Sequence, residues 1–324
     1  MNEPRNRFLS LLESTGDRPA IIAHRGDSFH APENTLEAAR LAWKAGAQAW
    51  ELDVRLTRDG DPIVIHDDSL IRTTDVAARF AGDPRGRDGF RVSDFDHDEI
   101  RSLDAGSWFV SSTGGPRSAR AFGTLDDLDP SWIDHYRSGS VIIPTLAEAL
   151  TLTAELDWLV NIELKSFPEQ ASGLLDSVLD LIKETNTADR VLISSFDHRD
   201  VEHCDYVGRE YALGILVETP LYCVHEYVSR LVHADTVNMS AAYLGSQSIV
   251  YRRHPASLLL ARRVVKDLKV QGISTLVYTV NDHRPGGLAQ HLAEIGVNGL
   301  FTDDPSGLRH HFETVSERTP GEPR

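Results

Sequence analysis

The sequence predicts an α/β fold, an eight-stranded parallel (β/α)8 barrel with a long insertion after its second strand. Three observations support this prediction. Strand-like apolar runs alternate with helix-length segments, eight of the runs can pair in parallel, and polar patches stand where several of the runs end. Apolar residues make up 41% and charged residues 25% of the 324 residues, as in ordinary globular proteins.

The predicted elements follow one another in a regular order. The parallel strands are expected at 20–24, 49–54, 158–164, 191–195, 211–217, 236–239, 274–280 and 299–302. Helices are expected after Pro32-Glu33, where Asn34 and Glu37 suggest a capping box, and at 145–156, 171–185, 198–207, 221–232, 257–269 and 287–295. This alternation is typical of a parallel sheet with a helix after each strand.

One apolar run, at 62–66, does not fit the alternation. Only residues 57–61 separate it from the second strand, and a parallel crossover needs a dozen or so residues, so the run is expected to return antiparallel. Asp59-Gly60 suggests a two-residue type I′ turn, which would place His66 directly opposite Asp53. The sequence therefore predicts a return hairpin that carries His66 back to the second strand.

Residues 67–143 interrupt the alternation and form an insertion that starts at the C-terminal end of the barrel. Asp96 and Glu99 suggest a capping box within it, so a helical lid is expected. Trp108 and Phe109 could wall a substrate pocket or belong to a small core of the insertion itself. We expect one catalytic barrel domain at 1–315, including this insertion, and a disordered tail at 316–324.

Composition excludes several classes of function. The net charge of −16 argues against a nucleic-acid backbone or an anionic membrane surface as the main partner. The chain has no apolar stretch long enough for a spanning helix and no signal-peptide pattern at its start, so no stable membrane insertion and a cytoplasmic location are expected. Cys204 and Cys223 have neither metal nor disulfide spacing.

Three carboxylates are the candidate metal ligands. Glu51 and Asp53 alternate along the second strand and so face one side, and Glu163 ends a strand beside Lys165. Oxygen ligands of this kind favour one hard divalent cation, Mg²⁺ or Ca²⁺. The alternatives are a solvated acidic face for Glu51 and Asp53, and a Glu163–Lys165 ion pair without a ligand.

Two histidines and two cations complete the candidate site. His24 ends the first strand and is followed by Arg25 and by Gly26, which permits a tight turn. Two imidazoles, His24 and His66, can serve as general acid and general base across a phosphate, while Arg25 and Lys165 can neutralise phosphate oxygens. Together with a metal, these groups indicate cleavage of a phosphodiester.

Short motifs spread along most of the chain resemble those of the glycerophosphodiester phosphodiesterase family. They are His24-Arg25-Gly26, Pro32-Glu33-Asn34-Thr35, Glu51-Leu52-Asp53-Val54, Thr57-x-Asp59-Gly60, His66-Asp67, Arg72-Thr73-Thr74, Ile143-Pro144-Thr145-Leu146, Glu163-x-Lys165, Ser195-Phe196, Thr279-Val280-Asn281 and Thr302-Asp303-x-Pro305. The resemblance implies a TIM-like barrel, a divalent metal on Glu51, Asp53 and Glu163, and acid/base roles for His24 and His66. It further implies hydrolysis of small-molecule glycerophosphodiesters to glycerol 3-phosphate and an alcohol, a reaction of lipid and glycerol metabolism.

The same resemblance adds substrate-binding residues to Arg25 and Lys165, namely Phe196, Tyr278 and Asn281. Tyr278 stands where the family often carries tryptophan, which bears on the shape of the pocket. Two other functions stay open at this point: a phospholipase D-like or cyclising phosphotransfer on lysophospholipids, and a catalytically inactive barrel that binds a metal or ligand. The sequence leaves the oligomeric state open as well.

Overall fold

A computed structural model describes residues 6–317 except 17, 112–124, 126–127, 167–172, 208, 220, 243 and 245–254. Its strands are β1 Ala20–Ala23, β2 Ala49–Leu56, β3 Pro62–Val64, β4 Val160–Leu164, β5 Val191–Ser195, β6 Ala212–Val217, β7 Thr236–Ser240, β8 Ser274–Tyr278 and β9 Gly299–Thr302. The sheet runs β1-β9-β8-β7-β6-β5-β4-β2-β3, and β1 also pairs with β2. All these pairings are parallel except that of β2 with β3, so eight strands close into the predicted TIM barrel.

Helices surround the barrel, and four of those described lie within the insertion. They are α1 Arg7–Ser14, α2 Leu36–Lys44, α3 Val76–Arg79, α4 His97–Arg101, α5 Ser107–Val110, α6 Pro130–Arg137, α7 Leu146–Glu155, α8 Leu174–Glu184, α9 His198–Tyr206, α10 Val224–Tyr227, α11 Pro255–Val270, α12 Leu288–Ile295 and α13 Pro305–Glu317. A π-helical turn, Val228–Val232, continues α10. Short 3₁₀ turns lie at Pro84–Asp88, Val92–Asp94 and Ala188–Arg190.

The barrel has one hydrophobic layer against the outer helices and a second in its interior. Interior residues include Ile22, Leu192, Leu276 and Phe301, all at most 1% exposed. Two side chains of α1, Phe8 and Leu12, are fully buried in this same cluster. The first helix therefore closes the end of the barrel opposite the C-terminal strand ends, a role that the sequence did not predict.

The return hairpin exists, but its predicted register is wrong by one residue. Val54 pairs with Val64, which places Ile65 opposite Asp53. The Ile65 N–H donates to the Asp53 carbonyl at 2.9 Å. His66 therefore follows the paired segment, where strand alternation no longer fixes the direction of its side chain.

The turn of this hairpin explains the shift. A type I′ turn requires a positive φ at both central residues, but of Asp59 and Gly60 only Gly60 has one, at 91°. The Thr57 N–H donates to the Asp61 carbonyl at 3.0 Å, so three residues lie between this last hydrogen-bonded pair of the hairpin. A three-residue turn that ends on a left-handed glycine is the common alternative in hairpins.

The cap of α2 also differs from the prediction. Thr35, not Asn34, caps this helix, since the Thr35 hydroxyl accepts from the Ala38 N–H at 3.2 Å. Asn34 has a left-handed backbone with φ 58° and directs its side chain toward β2. Both residues are chemically able to cap a helix, so local sequence does not separate them.

The insertion packs around two hydrophobic clusters of its own. One joins Ile63 and Ile65 of the hairpin to Phe95 and other buried residues. The second contains Phe109, which is fully buried, with Trp108 packed against it. The predicted capping box of α4 is confirmed by a hydrogen bond of 3.1 Å from the Asp96 N–H to Glu99.

The last helix and the hydropathy of all described helices bear on two further predictions of the sequence. The last helix, α13, continues to Glu317, two residues into the segment for which the sequence predicts disorder, and residues 318–324 lie outside the described part. Among the helices that the structure describes, none combines the length and the apolar character that a membrane crossing requires.

The turn predicts a simple stability effect. No atom lies within 4 Å of the position that a Cβ of residue 60 would occupy, so Gly60→Ala adds backbone strain without a clash. We expect it to lower the free energy of unfolding by about 1 kcal/mol, and Gly60→Asn by less, because asparagine tolerates the left-handed region better. Urea denaturation measures both changes. Gly16→Ala is the control, since its surroundings are equally open and its φ is not positive; equal effects at positions 16 and 60 would contradict the strain.

Candidate active site

Barrel register brings the three predicted metal ligands together. Asp53 on β2 pairs with Glu163 on β4, and Glu51 lies one inward-facing position earlier on β2. One carboxylate oxygen from each residue lies within 4.8 Å of the others, and all three residues are buried. The side chains thus converge at the C-terminal end of the barrel, where active sites of this fold lie.

The charges of this cluster are only partly compensated. Arg25 Nε lies 3.3 Å from Asp53 Oδ2, and the Lys165 ammonium lies 2.9 Å from Asp53 Oδ1 and also contacts Glu163. Burial raises the pKa of Asp53, but Lys165 and Arg25 outweigh it and hold that pKa below its ordinary value. For Glu51, burial and the neighbouring charges of Asp53 and Glu163 raise the pKa well above the ordinary range.

The donor set fits a divalent cation. The Glu51 Oε1 atom is buried and accepts no hydrogen bond from any residue that the structure describes. A buried, unpartnered carboxylate oxygen beside two further carboxylates is an arrangement that a cation with oxygen ligands stabilises. The three carboxylates could therefore hold a divalent metal, with Lys165 at its side.

The turn after β1 holds Glu51 and Asp53 in place. The Arg25 N–H donates to Glu51 Oε2 at 2.8 Å, and both Arg25 and Gly26 have positive φ, 57° and 79°. A Cβ on Gly26 would lie 2.6 Å from the backbone of Ala38, so α2 packs too closely for a side chain there. Asn34 completes the turn by donating to Asp53 Oδ2 at 2.8 Å.

The His24 imidazole is fixed by an acidic residue of the last strand end. His24 Nδ1 lies 2.6 Å from Asp303 Oδ1, and Ser28 donates to the same oxygen at 3.0 Å. Burial and Arg25 lower the pKa of His24, but Asp303 and Glu51 outweigh them and leave it above its ordinary value. With Nδ1 engaged, Nε2 is the nitrogen that can exchange a proton with a ligand.

Asn281 supports this pair. Its amide nitrogen donates to Asp303 Oδ2, and its carbonyl oxygen accepts from the Asp303 N–H at 3.0 Å. The resemblance implied substrate binding by Asn281, whereas in the structure both ends of its amide hold Asp303.

His66 has a similar partner. Its Nδ1 lies 2.7 Å from Asp67 Oδ1, and it directly follows Ile65, whose N–H donates to the Asp53 carbonyl at 2.9 Å. Arg55, which follows Asp53 on the inward side of β2, donates from Nε to the His66 carbonyl at 2.9 Å. Each predicted acid/base histidine therefore has its Nδ1 on a carboxylate, which leaves Nε2 for chemistry.

A buried glutamate anchors the phosphate-binding candidate Arg25. Arg25 Nη1 donates to Glu33 Oε1 at 2.8 Å, and Arg72 donates to both Glu33 oxygens at 2.7 Å. Burial raises the pKa of Glu33, but the two guanidinium groups outweigh it and lower that pKa to about 2. Glu33 is therefore charged at neutral pH and holds two arginines at the mouth of the barrel.

Two predicted aromatic residues lie together beyond the carboxylates. Phe196 and Tyr278 meet edge to face with ring centroids 6.2 Å apart, and Phe196 is 48% exposed. The Tyr278 hydroxyl donates to the Val217 carbonyl at 3.1 Å.

The aromatic pair of the insertion has a different environment. The Trp108 indole donates to the Ala105 carbonyl at 2.8 Å and packs on buried Phe109. These contacts favour a core role for Trp108 and Phe109 over a role as a pocket wall.

Five residues of the site received no role in catalysis or binding in the sequence analysis. Asn34, Glu33, Asp67, Arg72 and Asp303 all lie in the quoted family motifs, but nothing in their local spacing shows what they contact. The signal that could have singled out Asp303 is its position just after the last strand, since closure of the barrel places that strand beside the first.

Comparison with known proteins decides the family. The model of the glycerophosphoryl diester phosphodiesterase family matches residues 24–306. The chain belongs to this family. A glycerophosphodiester phosphodiesterase from Caldanaerobacter subterraneus is 31% identical over 288 residues, which cover 89% of this chain and 95% of that protein. Another from Bacillus altitudinis is 28% identical over 287 residues, or 88% of this chain and 94% of that protein.

A solved structure shares the fold of this phosphodiesterase. A phosphodiesterase from Oleispira antarctica, determined in complex with the product sn-glycerol-3-phosphate, superposes with a TM-score of 0.69 at 26% identity. The match covers 91% of this chain and 97% of that one. The predicted family, the TIM barrel and the assignment of the chain as a phosphodiesterase are thereby confirmed.

Glu33 provides a stability prediction with a defined pH dependence. Its folded-state pKa of about 2, against an ordinary 4.5, means that its charge stabilises the fold above pH 4.5 and that this stabilisation is lost as the pH falls toward 2. We expect Glu33→Gln to cost about 3 kcal/mol at pH 7 and less than half of that at pH 3, measured by urea denaturation. Exposed Glu184→Gln is the matched control; a Glu33→Gln effect that stays constant with pH would contradict the ion-pair origin.

Proposed function

We propose that this phosphodiesterase hydrolyses glycerophosphodiesters to glycerol 3-phosphate and an alcohol, with one bound Mg²⁺ or Ca²⁺ and two histidines as acid and base. One observation carries the proposal: two imidazoles, each held at Nδ1 by a carboxylate, lie at the same end of the barrel as three buried carboxylates that have Arg25 and Lys165 beside them. The names of the similar proteins and the bound sn-glycerol-3-phosphate of the Oleispira antarctica structure support the substrate class.

Each charged residue has a separate task in the proposed reaction. Glu51, Asp53 and Glu163 would hold the cation, which supplies positive charge that stabilises the negative charge developing on the phosphoryl oxygens. Arg25 offers a planar guanidinium and Lys165 a point charge to the same group of oxygens. These cations offset the repulsion that a net charge of −16 exerts on an anionic substrate.

The two histidines would move the protons. Water attacks phosphorus and loses a proton to one imidazole Nε2, while the other imidazole, protonated at Nε2, gives its proton to the oxygen of the departing alcohol. The phosphorus–oxygen bond to the alcohol breaks, and the two histidines end with their protonation states exchanged. The Nδ1 contacts with Asp303 and Asp67 fix the orientation of the two rings and direct each Nε2 away from its carboxylate.

Phe196 and Tyr278 are proposed to line the region of the leaving alcohol, because they lie beyond the strand ends that carry the carboxylates. A cyclising transfer on lysophospholipids would use the same histidines with a substrate hydroxyl in place of water.

The cytoplasmic location stays a prediction of the sequence.

The central test is product release from glycerophosphocholine, glycerophosphoethanolamine and bis-glycerophosphate. We expect glycerol 3-phosphate in the presence of Mg²⁺ or Ca²⁺ and none in excess chelator. Glu163→Gln should lower metal affinity and kcat together, because a ligand charge is lost with little change of shape. Glu184→Gln, exposed at the end of α8, is the matched control. Full activity of metal-stripped protein, or a cyclic phosphate as the product, would refute the proposal.

The histidines are tested separately. Each of His24→Ala and His66→Ala should lower kcat by on the order of 100-fold or more, since general acid–base catalysis contributes that much. Metal affinity and the thermal midpoint should stay close to the wild-type values. His203→Ala, on the exposed side of α9, is the control. A variant that keeps near-wild-type kcat shows that its histidine is structural.

A further inference from the structure

A line of ion pairs runs around the mouth of the barrel from the carboxylate cluster to His66. Arg25 contacts Asp53 and Glu33, Glu33 contacts Arg72, Arg72 contacts Asp67, and Asp67 contacts His66. Between Asp53 and His66, the line consists of Arg25 and Glu33 from the turn after β1 and of Arg72 and Asp67 from the start of the insertion. The insertion therefore supplies one half of a network that ends on a proposed catalytic histidine.

Arg72 is the centre of this network. Its two Nη groups bind both oxygens of Glu33 at 2.7 Å each, while its Nε contacts Asp67 Oδ2 and Nη2 lies 3.1 Å from Asp67 Oδ1. One guanidinium thus holds two carboxylates in a bidentate manner at once. A lysine cannot reproduce this geometry, because its ammonium is a single point of charge.

The backbone around Arg72 is well anchored. Leu70 is fully buried in the core of the insertion, and its N–H donates to the Phe90 carbonyl at 3.0 Å. Thr74 donates to the Leu70 carbonyl at 2.6 Å, so the turn that carries Arg72 is closed by a hydrogen bond. The Arg72 side chain is itself 28% exposed. Its position is fixed by the two carboxylates together with this turn.

Asp67 needs such a partner. It directly follows His66, and its side chain is 26% exposed, so a contact with one imidazole nitrogen alone would leave the carboxylate free to rotate. With Arg72 on both of its oxygens, the plane of the carboxylate is fixed. The carboxylate in turn fixes the ring and the tautomer of His66.

We infer that Arg72 is a positioning residue for the phosphodiesterase reaction, which acts through Asp67 to orient His66 and through Glu33 to hold Arg25. The inference rests on the proposed catalytic role of His66. It gives the start of the insertion a part in arranging the proposed catalytic residues.

The test is a double-mutant cycle in the full-length protein with Mg²⁺ or Ca²⁺ supplied. We expect Arg72→Met to lower kcat by on the order of 10-fold or more, as loss of an orienting partner commonly does. In an Asp67→Asn background the same change should lower kcat by a clearly smaller factor, because its route through Asp67 is already removed and only the route through Glu33 to Arg25 is left. Arg72→Lys should stay within about threefold of Arg72→Met. Additive effects, or full activity of Arg72→Lys, would overturn the inference.

A second readout does not depend on turnover. The Nδ1 proton of His66, shared with Asp67, should give a protected NMR signal that is absent in His66→Ala. We expect this signal to broaden in Arg72→Met and to persist in Arg79→Met, a control at an exposed arginine of the insertion. An unchanged signal in Arg72→Met would overturn the positioning role.

The failure of this inference can be distinguished from the failure of the proposed function. Retention of wild-type kcat by His66→Ala would refute the two-histidine mechanism. Loss of activity in His66→Ala, together with an unchanged kcat and an unchanged proton signal in Arg72→Met, would refute only the role of Arg72.

Discussion

The burial of three carboxylates at one end of the barrel is the constraint on which the rest of the site depends. Glu51, Asp53 and Glu163 approach within 4.8 Å, and each loses most of its contact with water. Like charges at this separation repel strongly in a low-dielectric interior. The chain responds with two cations, Arg25 and Lys165, and with a raised pKa at Glu51. When all three carboxylates are ionised, the two cations leave one negative charge, which a divalent metal could offset.

Closure of the barrel supplies the geometry that these charges need. Parallel register places Asp53 and Glu163 side by side, although 109 intervening residues, including the insertion, separate them in the chain. Pairing of the first strand with the last then brings Asp303 to His24 across 279 positions. Each contact is long-range in sequence but follows from strand pairing alone. The hydrophobic core that holds the strands in register therefore also sets the electrostatics of the site.

The sequence predicted most features that depend on strand periodicity, but few of the contacts that depend on the conformation of loops. The eight parallel strands, the antiparallel return and the convergence of Glu51, Asp53 and Glu163 follow from alternation and from the position of polar residues at strand ends. The hairpin register was missed because Asp59-Gly60 is compatible with two turns, and the choice between them depends on the backbone at Asp59. Asn34 and Thr35 are adjacent and equally able to cap, so only the contact with Asp53 distinguishes them. No local pattern indicates a partner that is distant in sequence, which is why the contacts of Asp303 and Arg72 appeared only in the fold.

The insertion is packed so that its first residues reach the candidate active site. Ile63 and Ile65 of the hairpin are buried in the same cluster as the insertion's own apolar residues, so the segment after His66 folds onto a rigid base. On that base stand Asp67 and Arg72, which reach back to the turn after β1 through Glu33. Because Glu33 is charged and buried, removal of either arginine leaves the other with an excess of negative partners. One set of charges thereby connects Arg25, the proposed phosphate ligand, to His66, the proposed acid or base.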